Sequence, residues 1–418
     1  MFDNKSETSA AILVCADTGE FDAEKSLDEL EELVSTAGAE VLARAVQKRS
    51  AMDSATCIGT GRLNEIKELC GTLKPDLIVF DHELTGTQIR NIEKVLDVHT
   101  IDRTMLILDI FAQRAITKEG RLQVELAQQK YRLPRLVGMG VSLSRLGAGI
   151  GTRGPGETKL ETDRRHIRSR IEILREQLFE IEKRRELIRN RRKKDNVLTA
   201  AIVGYTNVGK STLLNTLTQA GVLAENKLFA TLETTSRAIE LPDGRSVLLT
   251  DTVGLIRRLP HNLVEAFKST LEEASSADVI LHICDASSPD ADEQAKVTLE
   301  LLAELGCKDI PTVTVLNKCD LLPDTSMLPN EKYTVKMSAK SGAGINELLS
   351  AISNALPVTS YRMRLLLPYE NAGLLNRIRE EGAVYSEEYT EQGIKADALV
   401  DIKLFGSVEA FKIPTEGQ

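Results

Sequence analysis

The eight residues from Gly204 to Ser211, Gly-Tyr-Thr-Asn-Val-Gly-Lys-Ser, constrain this chain more than any other stretch. They match G-x-x-x-x-G-K-[ST], directly after the apolar VLTAAIVG (197–204) and directly before the helix-forming STLLNTLTQAG. A strand, a glycine loop and a helix in that order build a phosphate cradle. The glycines let backbone N–H groups face an anion, and the helix N-terminus adds partial positive charge. Gly204, Tyr205, Thr206, Asn207, Val208, Gly209, Lys210, Ser211 and Thr212 are the expected cradle. In it Lys210 reaches the β- and γ-phosphates of a nucleotide and the Ser211 hydroxyl ligates Mg²⁺.

Three further motifs follow in order, each at a strand end. Forty-one residues beyond Lys210 comes DTVG, in which Asp251 is expected to hold Mg²⁺. Thr252 and Val253 line that corner, and the Gly254 N–H meets the γ-phosphate. The run TVTVL leads into NKCD (317–320). There Asn317 and Asp320 read a purine edge, the Asp320 carboxylate accepting from the guanine N1–H and 2-amino groups that adenine lacks. Lys318 covers the base with its aliphatic stem. MSAK (337–340), with Ser338, Ala339 and Lys340, aims the Ala339 N–H at guanine O6. The constellation resembles the GTP-binding proteins of the Ras-like and translation-factor superclass and implies bound GTP or GDP. That likeness places a switch threonine in FATLETTSR (229–237): Thr235 is the choice and Thr234 the alternative. Thr235 then joins Ser211 and Asp251 as a Mg²⁺ ligand, and Lys210, Thr235 and Gly254 carry catalysis.

Upstream of the cradle, strand and helix signals alternate. AAILVCAD (10–17), AEVLARAVQ (39–47), DLIVFD (76–81) and VHTIDR (98–103) read as strands. AEKSLDELEELVSTAG (23–38), GRLNEIKELCGTL (61–73) and LTGTQIRNIEKVL (84–96) read as helices between them. Such alternation implies a parallel sheet with right-handed crossovers. After Met105 the pattern turns helical through LQVELAQQKYRL (122–133). Seven glycines between Gly138 and Gly156 then exclude a regular element. From about Thr162 to Lys194, Ile167, Ile171, Leu174, Leu178 and Ile181 recur at a 4-3-4-3 spacing, the seam of a coiled coil. An antiparallel helical hairpin with the glycine-rich loop at or near its tip is the economical arrangement. At the other end, RLLLPY (364–369), a helix over 371–382 and strand-like ALVDIKLF (398–405) read as a small α+β module. The expected fold class is therefore α/β and multidomain. An N-terminal parallel α/β domain covers 1–115, a helical hairpin 116–196, a P-loop GTPase domain 197–357 and a small C-terminal α+β domain 358–418.

The net charge of −9 over 418 residues speaks against a generally basic surface, but the charge is uneven. Between Glu161 and Lys194 stand 13 Lys/Arg and 7 Asp/Glu. A phosphate backbone feels local charge, because screening removes the rest beyond about 10 Å. Arg145, Arg153, Arg164, Arg165 and Arg168 are the RNA-contact candidates, beside the RNRRKK run at 189–194. With no Trp, aromatic stacking is not a dominant recognition mode. No apolar stretch reaches the roughly 18 residues of a membrane span, and MFDNKSETSA lacks a signal-peptide pattern. The six cysteines form no CxxC pair and read as reduced thiols. A cytoplasmic protein is expected.

The order of an N-terminal α/β domain, a helical segment with GTRGPGETKLETDRRHI, and a G domain with FATLETTSR and DTVGLIRRLPH resembles the HflX family of ribosome-associated GTPases. The resemblance covers essentially the whole chain. It implies binding to the large ribosomal subunit and its ribosomal RNA through the hairpin and glycine-rich loop. It also implies dissociation or rescue of stalled ribosomes under stress, a monomer off the ribosome, and peripheral membrane association as an open alternative. Where the family commonly carries a proline before the switch threonine, Thr234 stands here. Leu255 occupies the position where many such enzymes carry a water-orienting glutamine. Three replacements stay open: His261, a K⁺ ion near Asn207, or the ribosome completing the site while Leu255 restrains turnover until docking. The contrasting expectation is a nucleotide-gated RNA-binding scaffold with little hydrolysis. ATP use has little support, because GIGTRGPGE lacks a lysine–serine cradle.

Overall fold

The computed structural model describes residues 9–136, 155–218, 228–229, 234–258, 260 and 273–413, except for the side chains of 155–160. The chain separates into two compact units. The first comprises 1–185, 225–233 and 256–270; the second comprises 186–224, 234–255 and 271–418.

In the first unit, β1 (Ser9–Asp17), β2 (Ala39–Lys48), β3 (Leu77–Phe80) and β4 (His99–Asp102) form a wholly parallel sheet in the order β2-β1-β3-β4. β1 is central, and its run Ala11 to Ala16 is fully buried, as a strand covered on both faces must be. The crossovers are α1 (Ala23–Thr36), α2 (Thr60–Leu73) and α3 (Gly86–Leu96). Side chains set where they start. Asp22 accepts from the N–H groups of Glu24 and Lys25, and Thr85 forms a capping box with Gln88. α4 (Arg103–Arg114) follows β4 directly, capped by Asp102.

α5 (Lys118–Arg135) and α6 (Pro155–Lys194) form the hairpin's two arms. Ile171 and Leu174 are buried against Leu122 and Leu126, with Ile167, Leu178, Ile181 and Leu133 packed alongside. The seam read from spacing is thus the one that packs. Arg170 grips Glu125 with two bonds, of 2.6 and 2.7 Å, and Arg185 pairs with Glu119 at 3.1 Å, in antiparallel sequence order. α6 starts earlier than the expected Thr162, because Pro155 is tolerated in a first turn and GETKLET contains good helix formers. The glycine-rich stretch up to Gly154 lies outside the described residues.

The second unit holds a six-stranded sheet ordered β10-β9-β8-β5-β7-β6. Its strands are β5 (Leu198–Gly204), β6 (Thr235–Glu240), β7 (Ser246–Asp251), β8 (Val279–Asp285), β9 (Thr312–Asn317) and β10 (Thr334–Lys336). All neighbours are parallel except the β6–β7 hairpin. α7 (Lys210–Thr218), α8 (Ala291–Glu304) and α9 (Ile345–Ala355) are its described helices. The last module is an antiparallel sheet, β11 (Ser360–Leu367), β12 (Ala383–Thr390) and β13 (Gly393–Asp401), with α10 (Ala372–Glu381) and α11 (Ile402–Val408). The strand expected over 398–405 stops at Asp401. Its carboxylate accepts from the Lys403 N–H and starts α11, turning the IKLF run into a helix.

Candidate nucleotide-binding site

β5 ends at Gly204 and α7 begins at Lys210, so regular structure holds the loop at both ends. A Cβ on Gly204 would stand 2.4 Å from the Ile283 carbonyl oxygen of β8. Gly209 takes φ +96°, and a Cβ there would meet the Asn317 amide at 2.4 Å. Asn207 takes φ +62°, a left-handed conformation that Asn accepts better than most residues; the backbone alone accounts for an asparagine here. Tyr205, Thr206 and Val208 are buried, while Thr212 is half-buried on the first turn of α7. The Thr206 hydroxyl is buried and has no hydrogen-bond partner among the described residues.

Lys210 is 6% exposed and donates to the carbonyls of Gly204 (3.1 Å) and Tyr205 (2.6 Å). Burial pushes its pKa down to about 8, against the pull of Asp251. A buried ammonium in this position gains strongly from an arriving anion. Next to it, Ser211 Oγ donates to Asp251 Oδ2 at 2.8 Å, and Asp251 is fully buried at the end of β7. A hydroxyl and a carboxylate in contact are the hard oxygen donors Mg²⁺ takes, leaving its other positions for phosphate and water. No group of three or more His, Cys, Asp or Glu side chains among the described residues could hold a metal. The contact of Ser211 Oγ with Asp251 Oδ2 is the donor chemistry that fits Mg²⁺. Thr235 opens β6 directly opposite Asp251. Directly opposed residues of an antiparallel pair project to one face, so the register sets Thr235 on the same face as Asp251, and Thr234 precedes the strand.

DTVG lies against the loop. A Cβ on Gly254 would come within 2.6 Å of Thr206 Cγ2 and 3.1 Å of Lys210 Nζ. Thr252 spends its hydroxyl on the Ile202 carbonyl at 2.7 Å, and Val253 is buried, so both shape the corner from behind. Leu255 is a core residue. Its side chain is 2% exposed among Ala201, Val203, Ala274, Ile280, Leu302 and Cys307. Its N–H donates to the Gly204 carbonyl (3.2 Å) and its carbonyl accepts from the Thr206 N–H (2.8 Å). It fastens the end of DTVG to the phosphate loop, and its side chain is committed to the core. His261 lies outside the described residues.

At the far end of the sheet, Asn317 ties loops together. Its amide nitrogen donates to the Val208 carbonyl (2.7 Å), and its oxygen accepts from the Ala339 N–H (2.8 Å), the group expected to reach guanine. Ser338 is buried and Lys340 exposed. Lys318, at φ +63°, pairs with Asp285 at 2.6 Å, and Asp320 is exposed on the turn Cys319–Leu321. Sequence reasoning missed Asp285, although it ends the apolar strand VILHICD. It also missed Thr216, whose hydroxyl donates to the Ala339 carbonyl at 2.7 Å and fixes the last motif to α7.

Of the RNA-contact candidates, Arg165 and Arg168 are exposed on α6 and Arg164 is half-buried, lining one shallow concavity with Ser169. Arg145 and Arg153 lie outside the described residues. No described helix is long and apolar enough to cross a membrane.

Three family models match the chain in succession. They are a GTP-binding GTPase N-terminal region over residues 24–112, a GTP-binding GTPase middle region over 114–192, and a 50S ribosome-binding GTPase over 199–318. A protein named GTPase HflX from Caldanaerobacter subterraneus is 54% identical over 383 residues, covering 91% of this chain and 89% of its own. One of the same name from Lacrimispora saccharolytica is 51% identical over 404 residues, with 95% of each chain covered. Its namesake in Escherichia coli is 42% identical over 398 residues, covering 94% and 93%.

Proposed function

The chain belongs to the HflX family of GTPases and hydrolyses GTP to GDP and phosphate, and from that premise we propose that it works on the large ribosomal subunit. It docks through its N-terminal and helical region onto ribosomal RNA, hydrolyses GTP faster when docked, and dissociates or rescues ribosomes under stress. Off the ribosome it is a cytoplasmic monomer.

In this reading Lys210 exchanges the Gly204 and Tyr205 carbonyls for β- and γ-phosphate oxygens, and the Gly254 N–H holds the γ-phosphate. Ser211, Asp251 and Thr235 would hold a Mg²⁺ ion, whose positive charge would offset the negative charge of the phosphates. Asn317 orders the phosphate loop and the Ala339 loop together, while the exposed Asp320 carboxylate selects guanine. A K⁺ ion held by Asn207 would supply further positive charge to the same phosphates.

The observation that carries the proposal is the buried Leu255: cradle and Mg²⁺ donors are in place, but the residue after DTVG is committed to the core. What orients the water then comes from the docked subunit. Steady-state hydrolysis of GTP and ATP, with and without large subunits and in K⁺ or Na⁺ buffer, tests this. Strong, GTP-specific stimulation by subunits is expected, with K⁺ above Na⁺. Rapid GTP hydrolysis by the isolated protein in Na⁺ refutes it.

A further inference from the structure

On the sheet of the second unit, away from the phosphate loop, lies a cavity of about 230 Å³. Its floor is mostly apolar, with Leu198, Ala200 and Ala201 of β5, Ala277 and Pro357, interrupted by the hydroxyls of Thr199, Thr250 and Ser276. Its rim is cationic: Arg189, Arg192 and Lys193 come from the end of α6. These residues belong to the basic run that reads, in sequence, as part of a solvated or RNA-facing helix end. The fold instead brings three of them around the rim of a half-open cavity.

Two acids beside the cavity, Glu273 and Asp278, face the three cations and leave one positive charge in excess. Asp278 accepts from both the N–H (2.7 Å) and the hydroxyl (2.8 Å) of Thr199. Glu273 stands 3.5 Å from Arg189. Arg192 and Lys193 have no acidic partner among the described residues, and the buried Nε of Arg189 has no hydrogen-bond partner there. A buried donor left unmatched costs about 1–3 kcal/mol, so the Arg189 Nε favours an acceptor brought from outside.

The two halves of the lining select one ligand chemistry. A bare phosphate or an RNA strand satisfies the rim but leaves the floor wet, and a neutral apolar molecule does the reverse. The volume is below the roughly 300–1,000 Å³ of sites that enclose drug-sized ligands, which excludes a second nucleotide. We propose that this cavity binds a small amphipathic organic anion, with its carboxylate among Arg189, Arg192 and Lys193 and its apolar body on the β5 floor. The site is separate from the GTP cradle and does not depend on ribosome docking.

The test uses 4-(trifluoromethyl)benzoate, titrated against the full chain loaded with GDP and Mg²⁺ and followed by fluorine NMR. Its neutral isostere 4-(trifluoromethyl)benzamide and inorganic phosphate serve as comparisons. Saturable benzoate binding is expected. The benzamide should bind at least about tenfold more weakly, the equivalent of one charge-assisted hydrogen bond. Arg192→Gln with Lys193→Gln should weaken benzoate binding by a similar factor, and Ala277→Leu should abolish it by filling the floor. GDP affinity should be unchanged in both variants, which shows that they fold; the rim pair, on the surface, decides the matter if the floor variant does not fold. Equal binding of the benzamide, displacement of benzoate by equimolar phosphate, undiminished binding to the rim variant, or no saturation up to about 10 mM overturns the proposal.

Discussion

Replacing Lys210 by methionine should abolish GTP binding and remove a pH dependence from the stability of the nucleotide-free protein. Burial holds the Lys210 pKa at about 8, against an ordinary 10.5. Between those values the unfolded chain binds a proton that the folded chain releases, so wild-type stability rises with pH across that window. The deficit due to this one group is about 3 kcal/mol at pH 7 and about 1 kcal/mol at pH 10. Methionine fills similar space and removes the deficit. It also gives up the two hydrogen bonds to the Gly204 and Tyr205 carbonyls, worth about 1 kcal/mol each. Because the hydrogen-bond loss does not vary with pH, the variant's stability relative to wild type should fall by about 2 kcal/mol between pH 7 and pH 10. Urea unfolding of both proteins without nucleotide, following the G-domain fragment by pulse proteolysis from pH 7 to 10, measures the difference directly. A difference that stays constant with pH would show that Lys210 carries its full charge in the folded chain and would refute the burial argument.

Leu255→Gln should not create a fast GTPase. It places an amide in a core only 2% exposed and should destabilise the protein by about 1–3 kcal/mol, lowering Tm without raising kcat; rapid hydrolysis by this variant without ribosomes would show that the side chain leaves the core during turnover. Asp320→Asn exchanges an acceptor for a donor on the exposed base-reading turn. It should weaken GTP binding by about tenfold or more and strengthen XTP binding, and unchanged GTP affinity would remove Asp320 from the site. Replacing Arg164, Arg165 and Arg168 by glutamine should weaken large-subunit binding and reduce its logarithmic salt slope by about 0.7–0.9 per lost phosphate contact, leaving GDP affinity intact. A nucleotide defect in that variant would mean that these arginines serve the fold.

Local chemistry by itself determined the elements that carry the site. The P-loop, DTVG, NKCD and MSAK motifs each stand at a strand end, and a glycine loop between strand and helix has few other uses. The hairpin seam was equally legible, because Ile167, Ile171, Leu174, Leu178 and Ile181 repeat with the helix period whatever they pack against. Short-range capping misled the C-terminal reading, where the Asp401 side chain overrides the β-like IKLF run. Only the tertiary structure decided what depends on residues distant in sequence. Leu255 occupies a catalytic-looking position, but its burial is set by Ile280, Leu302 and Cys307. Asn317 looks like a base reader, and it is the loop carbonyl of Val208 and the N–H of Ala339 that show where its amide is spent. Arg189, Arg192 and Lys193 read as one stretch of a basic helix end until β5, Ala277 and Pro357 line a cavity beneath them. A residue's type and its neighbours along the chain set which bonds it can make. Its partners across the fold set which of those bonds it makes, because only they decide what is withdrawn from water.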